Sequence, residues 1–227
     1  MTQKHKYARK QYAIIAVDVA VFCVEGDTLL VLLQETNKPE LKNLWALPGA
    51  LIGHDEGLEQ AAHRVLHEKA HIENLCIDQL ATFGDPDRDP FGRVVAIAHF
   101  AIVNQAKQQA HAQKEYKDLM WAPIHKLPRL AYDHKKIIQA GIHTLQSRLG
   151  HTNIAKDALP REFTLSDLQN IYEVIFDKKF DKRNFRKQIQ SLGLVKPTGN
   201  KTSGDANRPA ELYTFSSSRL SEVSEIK

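Results

Sequence analysis

Alternating apolar and polar residues predict a sheet in the first two thirds of the chain. Residues 12–24 and 28–34 are rich in Val, Ile, Leu and Ala, and the Glu25-Gly26-Asp27 segment between them is typical of a hairpin turn. Similar apolar stretches predict further strands at 75–82, 93–103 and 117–121. We therefore expect a mixed sheet in this region.

Two helices are predicted beside the sheet. Apolar residues recur at helical spacing over 58–66 and again over 133–149. In the second helix the inward positions are Ile137, Ile138, Gly141, Ile142, Leu145 and Leu149. A mixed sheet between two such helices predicts an α/β fold arranged as an α/β/α sandwich.

The periodicity is lost in the stretch GHTNIAKDALPRE, which begins at Gly150. Gly, Asn and Pro in such a stretch are typical of a connection between domains. We therefore predict a first domain over residues 1–150, a linker over 151–162 and a second domain over 163–227.

The second domain has the order of elements of a winged helix-turn-helix. Thr164 and Asp181 are expected to cap two short helices, and Gly193 ends the second one. A strand, a basic loop at 196–210 and a returning strand at 212–215 follow. In a winged helix the second helix enters the major groove of DNA and the hairpin lies along phosphates or the minor groove.

Positive charge is concentrated in this second domain. The formal net charge is only +4, yet residues 178–208 hold nine Lys and Arg against two Asp. Such a concentration favours a polyanion, here double-stranded DNA, as the partner. A solvated surface, or a small helical domain that binds protein, is the alternative. The candidate DNA contacts are Lys179, Lys182, Arg183, Asn184, Arg186, Lys187, Gln190, Lys201 and Arg208.

These candidates are expected to divide between bases and phosphates. Arg183 and Arg186 have the bidentate geometry that reads guanine. The expected phosphate contacts are Lys182, Lys187 and Lys201. Residues 1–12 add four further cations and no acid, as either an additional phosphate-binding arm or a disordered tail.

Cysteine usage and hydropathy point to the cytoplasm. Cys23 and Cys76 lie among apolar neighbours at no metal or disulfide spacing, so we expect both to be buried reduced thiols. No apolar run approaches the length of a membrane span, and the N-terminus lacks the hydrophobic region of a signal peptide. We therefore expect a cytoplasmic protein with no membrane partner.

The segment LPGALIGHDEGLEQAAHRVLHEKAHI is similar to the Nudix signature G-x5-E-x7-R-E-U-x-E-E-x-G-U, in which U is a bulky apolar residue. Glu56, Arg64 and Glu68 match its charged positions, whereas Val65 and Lys69 stand where it has two more glutamates. Positions 65, 68 and 69 share one helix face. Three carboxylates there can hold the Mg²⁺ that clamps a pyrophosphate for attack by water. Because an ammonium repels Mg²⁺ and valine offers no ligand, we expect no catalytic residues, doubtful Mg²⁺ binding and no other cofactor.

Nearly the whole chain resembles the Nudix-related transcriptional regulators of NAD metabolism, the NrtR family. Besides the box, the resemblance lies in FGDPDRDPFGRVVAIAHFAIV, LPREFTLSDLQNIYEVIFDKKFDKRNFRKQI and RPAELYTF. It implies a homodimeric repressor of NAD biosynthesis or salvage genes that binds an inverted-repeat operator. It also implies ADP-ribose as the effector, bound by the Nudix domain and weakening operator binding.

Without a metal cluster, the diphosphate of ADP-ribose needs arginines or backbone N–H groups. Arg88 is the expected phosphate contact, and Phe91 is expected to stack on the adenine. Arg64 is either a ligand contact or the structural partner of a box glutamate. Glu56 and Glu68 likewise either bond the ribose hydroxyls or hold Arg64 in place. The candidate effector contacts are Glu56, Arg64, Glu68, Arg88, Phe91 and Arg93.

Three other functions fit parts of the same pattern. One is an active ADP-ribose pyrophosphatase that also carries a DNA-binding domain. Another is a related regulator of sugar catabolism with a different effector. The third is a plain interaction module, which predicts no salt-sensitive binding to duplex DNA.

Overall fold

The fold was analysed in a computed structural model, which describes residues 12–73, 75–104, 118–202 and 209–222. The strands of the first region are β1 (Ile14–Glu25), β2 (Thr28–Glu35), β3 (Trp45–Ala46), β4 (Gly49–Leu51), β5 (Asp78–Phe83), β6 (Val94–Val103) and β7 (Leu119–Pro123). Its helices are α1 (Leu58–Ala70) and α2 (His134–His151). The second region comprises α3 (Leu165–Phe176), α4 (Lys182–Ser191), β8 (Val195–Lys201) and β9 (Glu211–Phe215).

Strand β1 is the centre of a seven-stranded mixed sheet. It pairs antiparallel with β2 and β4 and parallel with β6, while β5 lies on the far side of β6. Its side chains alternate between two buried faces, because Val17, Val19 and Val21 pack with α1 and the intervening Ala20 and Phe22 face α2. Burial on both faces explains the nearly continuous apolar sequence of this strand. The predicted α/β/α sandwich is confirmed.

The second region is a winged helix-turn-helix, as predicted. The Thr164 side chain accepts a hydrogen bond from the Asp167 N–H, and Asp167 accepts one from the Thr164 N–H, which completes a capping box at α3. Asp181 caps α4 by accepting from the Asn184 N–H at 2.9 Å. Strands β8 and β9 pair antiparallel as the wing.

The stretch between the two regions is packed rather than extended. Helix α2 continues to His151, and the predicted linker buries four apolar side chains, those of Ile154, Ala155, Ala158 and Leu159, besides Thr152 and Asn153. The Asn153 side chain donates to the carbonyls of Ser217 and Arg219 and accepts from the Ser221 N–H. Residues 151–162 therefore fasten the C-terminal end of the chain onto α2. The domain boundaries themselves stay a prediction.

The two regions share one hydrophobic core. Buried side chains of the sheet, of α2, of α3 and of α4 form a single contiguous cluster. Polar contacts add to it, since Asn170 on α3 donates to the Gly26 carbonyl of the β1–β2 turn at 2.7 Å. Gln146 on α2 donates to the Ile175 carbonyl at 2.9 Å. The winged helix is thus held directly against the sandwich.

One prediction from the sequence is wrong, and one falls on a residue that the structure does not describe. Cys23 is buried as expected, but the prediction for Cys76 is wrong, because its side chain is exposed. Residue 117, where the last strand of the sheet was expected to start, lies outside the described residues. Within the part of the chain that the structure describes, no helix is long and apolar enough to cross a membrane.

Gly141 sets the distance between α2 and the sheet. A Cβ atom at this position would lie 2.8 Å from the Cε2 and Cζ atoms of Phe22, whose ring is fully buried. At Gly150, on the same helix, the nearest atom would be Phe176 Cζ at 3.9 Å, an ordinary contact.

We predict that Gly141→Ala and Gly150→Ala change stability in opposite directions. Alanine favours a helix over glycine by up to about 1 kcal/mol, so Gly150→Ala should leave the free energy of unfolding unchanged or raise it. Gly141→Ala should lower it by about 1–3 kcal/mol, because the Phe22 ring cannot move aside. Urea unfolding of both variants measures the difference. Equal effects would mean that the α2–sheet contact is not tight.

Candidate ligand cavity and nucleic-acid interface

A cavity of about 320 Å³ opens where β1, β4, the end of α1 and the start of α2 meet. Its volume lies within the range of small-molecule sites. The residues around it come from seven segments of the chain. They are Ala16, Asp18, Gln34, Thr36, Asn37, Lys38, Ala46, Leu47, Gly49, Ala50, Leu51, Lys69, Arg88, Asp89, Val94, Tyr132 and His134.

A buried ion network forms one wall of this cavity. Arg88, whose side chain is only 3% exposed, donates to Asp18 Oδ2 at 3.1 Å and to Asp133 Oδ1 at 2.8 Å. Burial alone would lower the pKa of Arg88, but the two carboxylates outweigh burial and raise that pKa. Its positive charge is therefore matched by two negative charges. The predicted contact between Arg88 and a phosphate stays a prediction, and these carboxylates compete with it.

His134 completes the network as a neutral side chain. Its Nδ1 accepts a hydrogen bond from the Leu47 N–H at 2.8 Å, which leaves the proton on Nε2, 3.6 Å from Asp18 Oδ1. Burial lowers the pKa of His134 and so favours the uncharged ring. Asp18 also requires glycine at position 49, because a Cβ there would lie 2.1 Å from Asp18 Oδ1.

The charged residues that match the Nudix signature lie outside this cavity and bind one another. Arg64 Nε donates to Glu56 Oε2 at 2.8 Å and Arg64 Nη2 to Glu56 Oε1 at 2.5 Å. Arg64 also donates to Glu68 at 3.2 Å and to the Leu51 carbonyl at 3.2 Å. Of the two roles open for Arg64, the geometry shows that of structural partner. Ligand contacts by these three residues stay a prediction.

The two box positions that have lost a glutamate, 65 and 69, lie in different environments. The Val65 side chain is fully buried among the apolar residues between α1 and the sheet. Lys69 instead lines the cavity and donates a hydrogen bond to the Gly49 carbonyl. Burial lowers the pKa of Lys69, while the nearby Asp18 carboxylate acts in the opposite direction.

The side chains present do not fit the divalent metal that the Nudix signature implies. Of the four signature carboxylates, one position is valine, one is lysine, and the remaining Glu56 and Glu68 are engaged by Arg64. Across residues 12–73, 75–104, 118–202 and 209–222, no three His, Cys, Asp or Glu side chains lie close enough together to hold a metal ion. The donor set of the box is therefore that of a salt bridge, not of a metal cluster.

At the rim of the cavity, an aromatic ring of the loop before β6 lies beside a cation of the segment that follows β2. Phe91 is 47% exposed, and Lys38 Nζ lies 4.1 Å from the centre of its ring and 5.7 Å from that of Tyr132. Arg93 Nη1 donates to the Gly84 carbonyl at 2.9 Å, so it braces the loop. Neither Phe91 nor Arg93 lines the cavity, although Lys38 and Tyr132 do. Stacking of Phe91 on adenine stays a prediction.

Sequence reasoning missed several residues of the cavity. Asp133 and His134 lie at the start of α2, which the sequence predicts only as an amphipathic helix. Asp18 carries a signal that could have identified it, because it is an acid in the interior of the apolar strand IIAVDVAVFCVE, whose other acid, Glu25, lies at the strand's end. A buried carboxylate requires a partner, and Arg88 supplies it.

The candidate DNA contacts are concentrated on one face of α4. Lys182, Arg183, Arg186, Lys187 and Gln190 line a shallow open groove on this helix. The opposite face is apolar, with Phe185 and Ile189 buried. Amphipathic packing thus directs the whole basic face to solvent.

The remaining DNA candidates occupy other environments. Lys179 Nζ lies 2.8 Å from Glu173 Oε2, so Lys179 forms an ion pair within the domain. Asn184 uses its backbone N–H in the cap of α4, and Lys201 is exposed at the end of β8. Arg208 lies outside the described residues. Base and phosphate contacts by the whole set stay predictions.

Glu56 gives a pH-dependent test of the Arg64 salt bridge. Hydrogen bonds from Arg64 and from the Gly53 N–H lower the pKa of Glu56 from 4.5 to about 2. A carboxyl group whose pKa falls on folding stabilises the protein above its unfolded pKa, and this contribution is lost as the pH falls toward the folded value. We therefore predict that Glu56→Gln lowers the melting temperature near pH 7, and that its difference from wild type vanishes near pH 2.

Thermal unfolding between pH 7 and pH 2 measures this difference. The matched control is Glu40→Gln, since Glu40 is exposed and has no ion pair within the described residues. It should lower the melting temperature less than Glu56→Gln at neutral pH. A difference between Glu56→Gln and wild type that persists at pH 2 would contradict the assignment.

Comparison with known proteins covers both parts of the chain. The family model for the NUDIX domain matches residues 14–141, and that for the NrtR DNA-binding winged helix domain matches residues 155–215. The chain is 34% identical over 219 residues to the ADPR responsive transcriptional repressor NtrR of Acinetobacter baylyi, covering 92% of this chain and 86% of that protein. It is 31% identical over 134 residues to the ADP-ribose pyrophosphatase of Methanocaldococcus jannaschii, covering 59% and 76%.

Crystal structures of Shewanella oneidensis NrtR, 31% identical to this chain, are also similar. Its complex with a 27mer DNA superposes with a TM-score of 0.80, covering 88% of this chain and 93% of that chain. Its Nudix domain in complex with ADP ribose superposes with a TM-score of 0.53, covering 62% and 94%. With both domains matched in order and a relative aligned over nearly its full length, the chain belongs to the NrtR family of Nudix-related transcriptional regulators.

Proposed function

We propose that this protein is a transcriptional repressor that binds operator DNA through its winged helix and releases it when ADP-ribose occupies the cavity. One combination of features supports the proposal. A cavity of small-molecule size lies beside a Nudix box that has lost two of its metal-binding acids, and the domain that contains it shares one hydrophobic core with a basic winged helix. The relatives that match most of the chain support it, since one is an ADPR responsive repressor and the other was crystallised with DNA.

ADP-ribose is proposed to be bound without being cleaved. Hydrolysis of a pyrophosphate by a Nudix box depends on carboxylates that hold metal ions. Here Val65 is buried in the core, Lys69 is a cation, and Glu56 and Glu68 are paired with Arg64. The same geometry weighs against the alternative of a pyrophosphatase that also binds DNA.

DNA recognition is assigned to the exposed face of α4. Five polar side chains, four of them cationic, project from this face, while Phe185 and Ile189 fix the helix to the core. A helix presented in this way fits the major groove, and the wing of β8 and β9 follows it in sequence. We propose that a homodimer acts in the cytoplasm on an inverted repeat that controls genes of NAD metabolism.

Helix α2 connects the cavity to the DNA-binding domain. Its first residue, His134, and the preceding Asp133 belong to the ion network of the cavity. Toward its other end, Gln146 bonds to α3 and Gly150 lies against Phe176. A ligand that displaces the start of α2 therefore displaces a rod that is packed on the winged helix. Because each protomer has one shared core, the change is proposed to alter the spacing between the two winged helices of the dimer.

The proposal is tested by operator affinity with and without effector. A duplex selected from a random-sequence library by the full chain should bind less tightly when ADP-ribose is added, whereas NAD and pentoses should have no such effect. Linkage requires operator-bound protein to bind ADP-ribose more weakly than free protein does. Equal affinity of the two forms would contradict the proposal, and a response to a pentose alone would favour the regulator of sugar catabolism.

Substitutions on α4 should separate base contacts from phosphate contacts. Arg183→Ala should weaken operator binding more than binding to unrelated DNA, because a bidentate contact to guanine contributes about 1–3 kcal/mol of discrimination. Lys187→Ala should weaken binding to both and reduce the slope of log K against log salt by about 1. Fluorescence anisotropy over a salt series measures both.

The matched control is Lys135→Ala, an exposed lysine on α2 in the other domain. It should leave the operator affinity and the salt slope unchanged. If all three variants bind like wild type, α4 is not the recognition helix.

A further inference from the structure

The cavity wall beside the box carries a positive charge where the signature calls for a negative one. Position 69 lies in the last turn of α1, and its side chain enters the cavity rather than solvent. Its ammonium group donates to the Gly49 carbonyl at the start of β4. Lys69 thus stands at the place that the Nudix signature gives to a metal-binding glutamate.

Lys69 has no carboxylate at ion-pair distance among the described residues. The two nearest acids each bind an arginine, Asp18 to Arg88 and Glu68 to Arg64, although both still act on the pKa of Lys69 from a distance. A partly buried ammonium group that forms no direct ion pair has lost water without gaining a charged hydrogen-bond partner. A phosphate of a bound ligand would supply that partner.

A second cation faces the same space. Lys38 lines the cavity at its rim, where its Nζ lies above the ring of Phe91 instead of beside a carboxylate. Burial is the main cause that lowers the pKa of Lys69; Asp18 and Glu68 oppose it, and the positive charges of Arg64 and Lys38 add smaller lowering effects. The two ammonium groups therefore repel one another in the free protein, and an anion between them would relieve that repulsion.

We propose that Lys69, assisted by Lys38, binds the diphosphate of the effector in place of the metal ions of a Nudix hydrolase. The inference rests on the proposed function, because it assumes a diphosphate-containing ligand in this cavity. One substitution thereby accounts for two properties. It excludes the divalent metal needed for cleavage, and it supplies the charge that binding the uncleaved ligand requires.

The test is the affinity of the full chain for ADP-ribose by isothermal titration calorimetry. Lys69→Gln should bind about ten- to a hundredfold more weakly than wild type, as expected for loss of a charge-assisted hydrogen bond. Lys38→Gln should show a smaller loss in the same direction. The matched control is Lys42→Gln, in the same loop as Lys38 but outside the cavity, and its affinity should equal that of wild type.

Folding of the variant is checked by its melting temperature without ligand. Because Lys69 forms no direct ion pair within the described residues, and glutamine can also donate a hydrogen bond, Lys69→Gln should melt close to the wild-type temperature. A variant that is as stable as wild type but binds weakly has lost a ligand contact, whereas a purely structural lysine would lower both quantities. Unchanged affinity in Lys69→Gln overturns the inference.

A second measurement needs no variant. Wild-type affinity for ADP-ribose should be the same in EDTA and in millimolar Mg²⁺, because the lysines replace the metal. A loss of about tenfold or more in EDTA would overturn the inference even if the lysine variants were unstable. If wild type binds no ADP-ribose under either condition, the proposed function itself fails, which is a different result from normal binding by Lys69→Gln.

Discussion

A single buried carboxylate, that of Asp18 in the middle of β1, fixes the geometry of the cavity. It holds Arg88 at 3.1 Å, faces His134 Nε2 at 3.6 Å and leaves no room for a side chain at Gly49. Through these contacts it positions the loop before β6, the start of α2 and the start of β4. A charge buried in an apolar strand must be compensated, and the compensation organises the surrounding segments.

The same network places the cavity at one end of a helix whose other end supports the DNA-binding domain. Asp133 and His134 open α2, and Gln146 contacts α3 about three turns further along. The core of the sandwich continues without interruption into the winged helix. The two domains are therefore packed as one unit, and in the proposed homodimer an effector-driven change would lie between such units.

Local patterns in the sequence predicted most of the fold. The alternation of β1, the capping box at Thr164 and the cap at Asp181 are determined by residues within a few positions of one another. The prediction that Cys76 is buried was wrong because apolar sequence neighbours in a loop do not ensure burial. Loss of periodicity over 151–162 predicts a linker, but it does not reveal that Asn153 has partners more than sixty positions away.

The candidate site was harder to predict, because its contacts join distant parts of the chain. Arg88 pairs with Asp18 and Asp133, 70 and 45 positions away, so its sequence neighbours give no sign that its charge is compensated. The sequence shows that Lys69 replaces a glutamate of the Nudix signature. Its position in the cavity, however, depends on how α1 packs against β4. The sequence identified where the chemistry had changed, and the structure shows what replaced it.

The altered box is proposed to sense ADP-ribose without consuming it. This can be tested by following the ³¹P NMR signals of ADP-ribose in Mg²⁺ while operator DNA is released from the full chain. We expect that the DNA is released and that the diphosphate signals keep their intensity. Release that proceeds only as AMP and ribose 5-phosphate appear would contradict it.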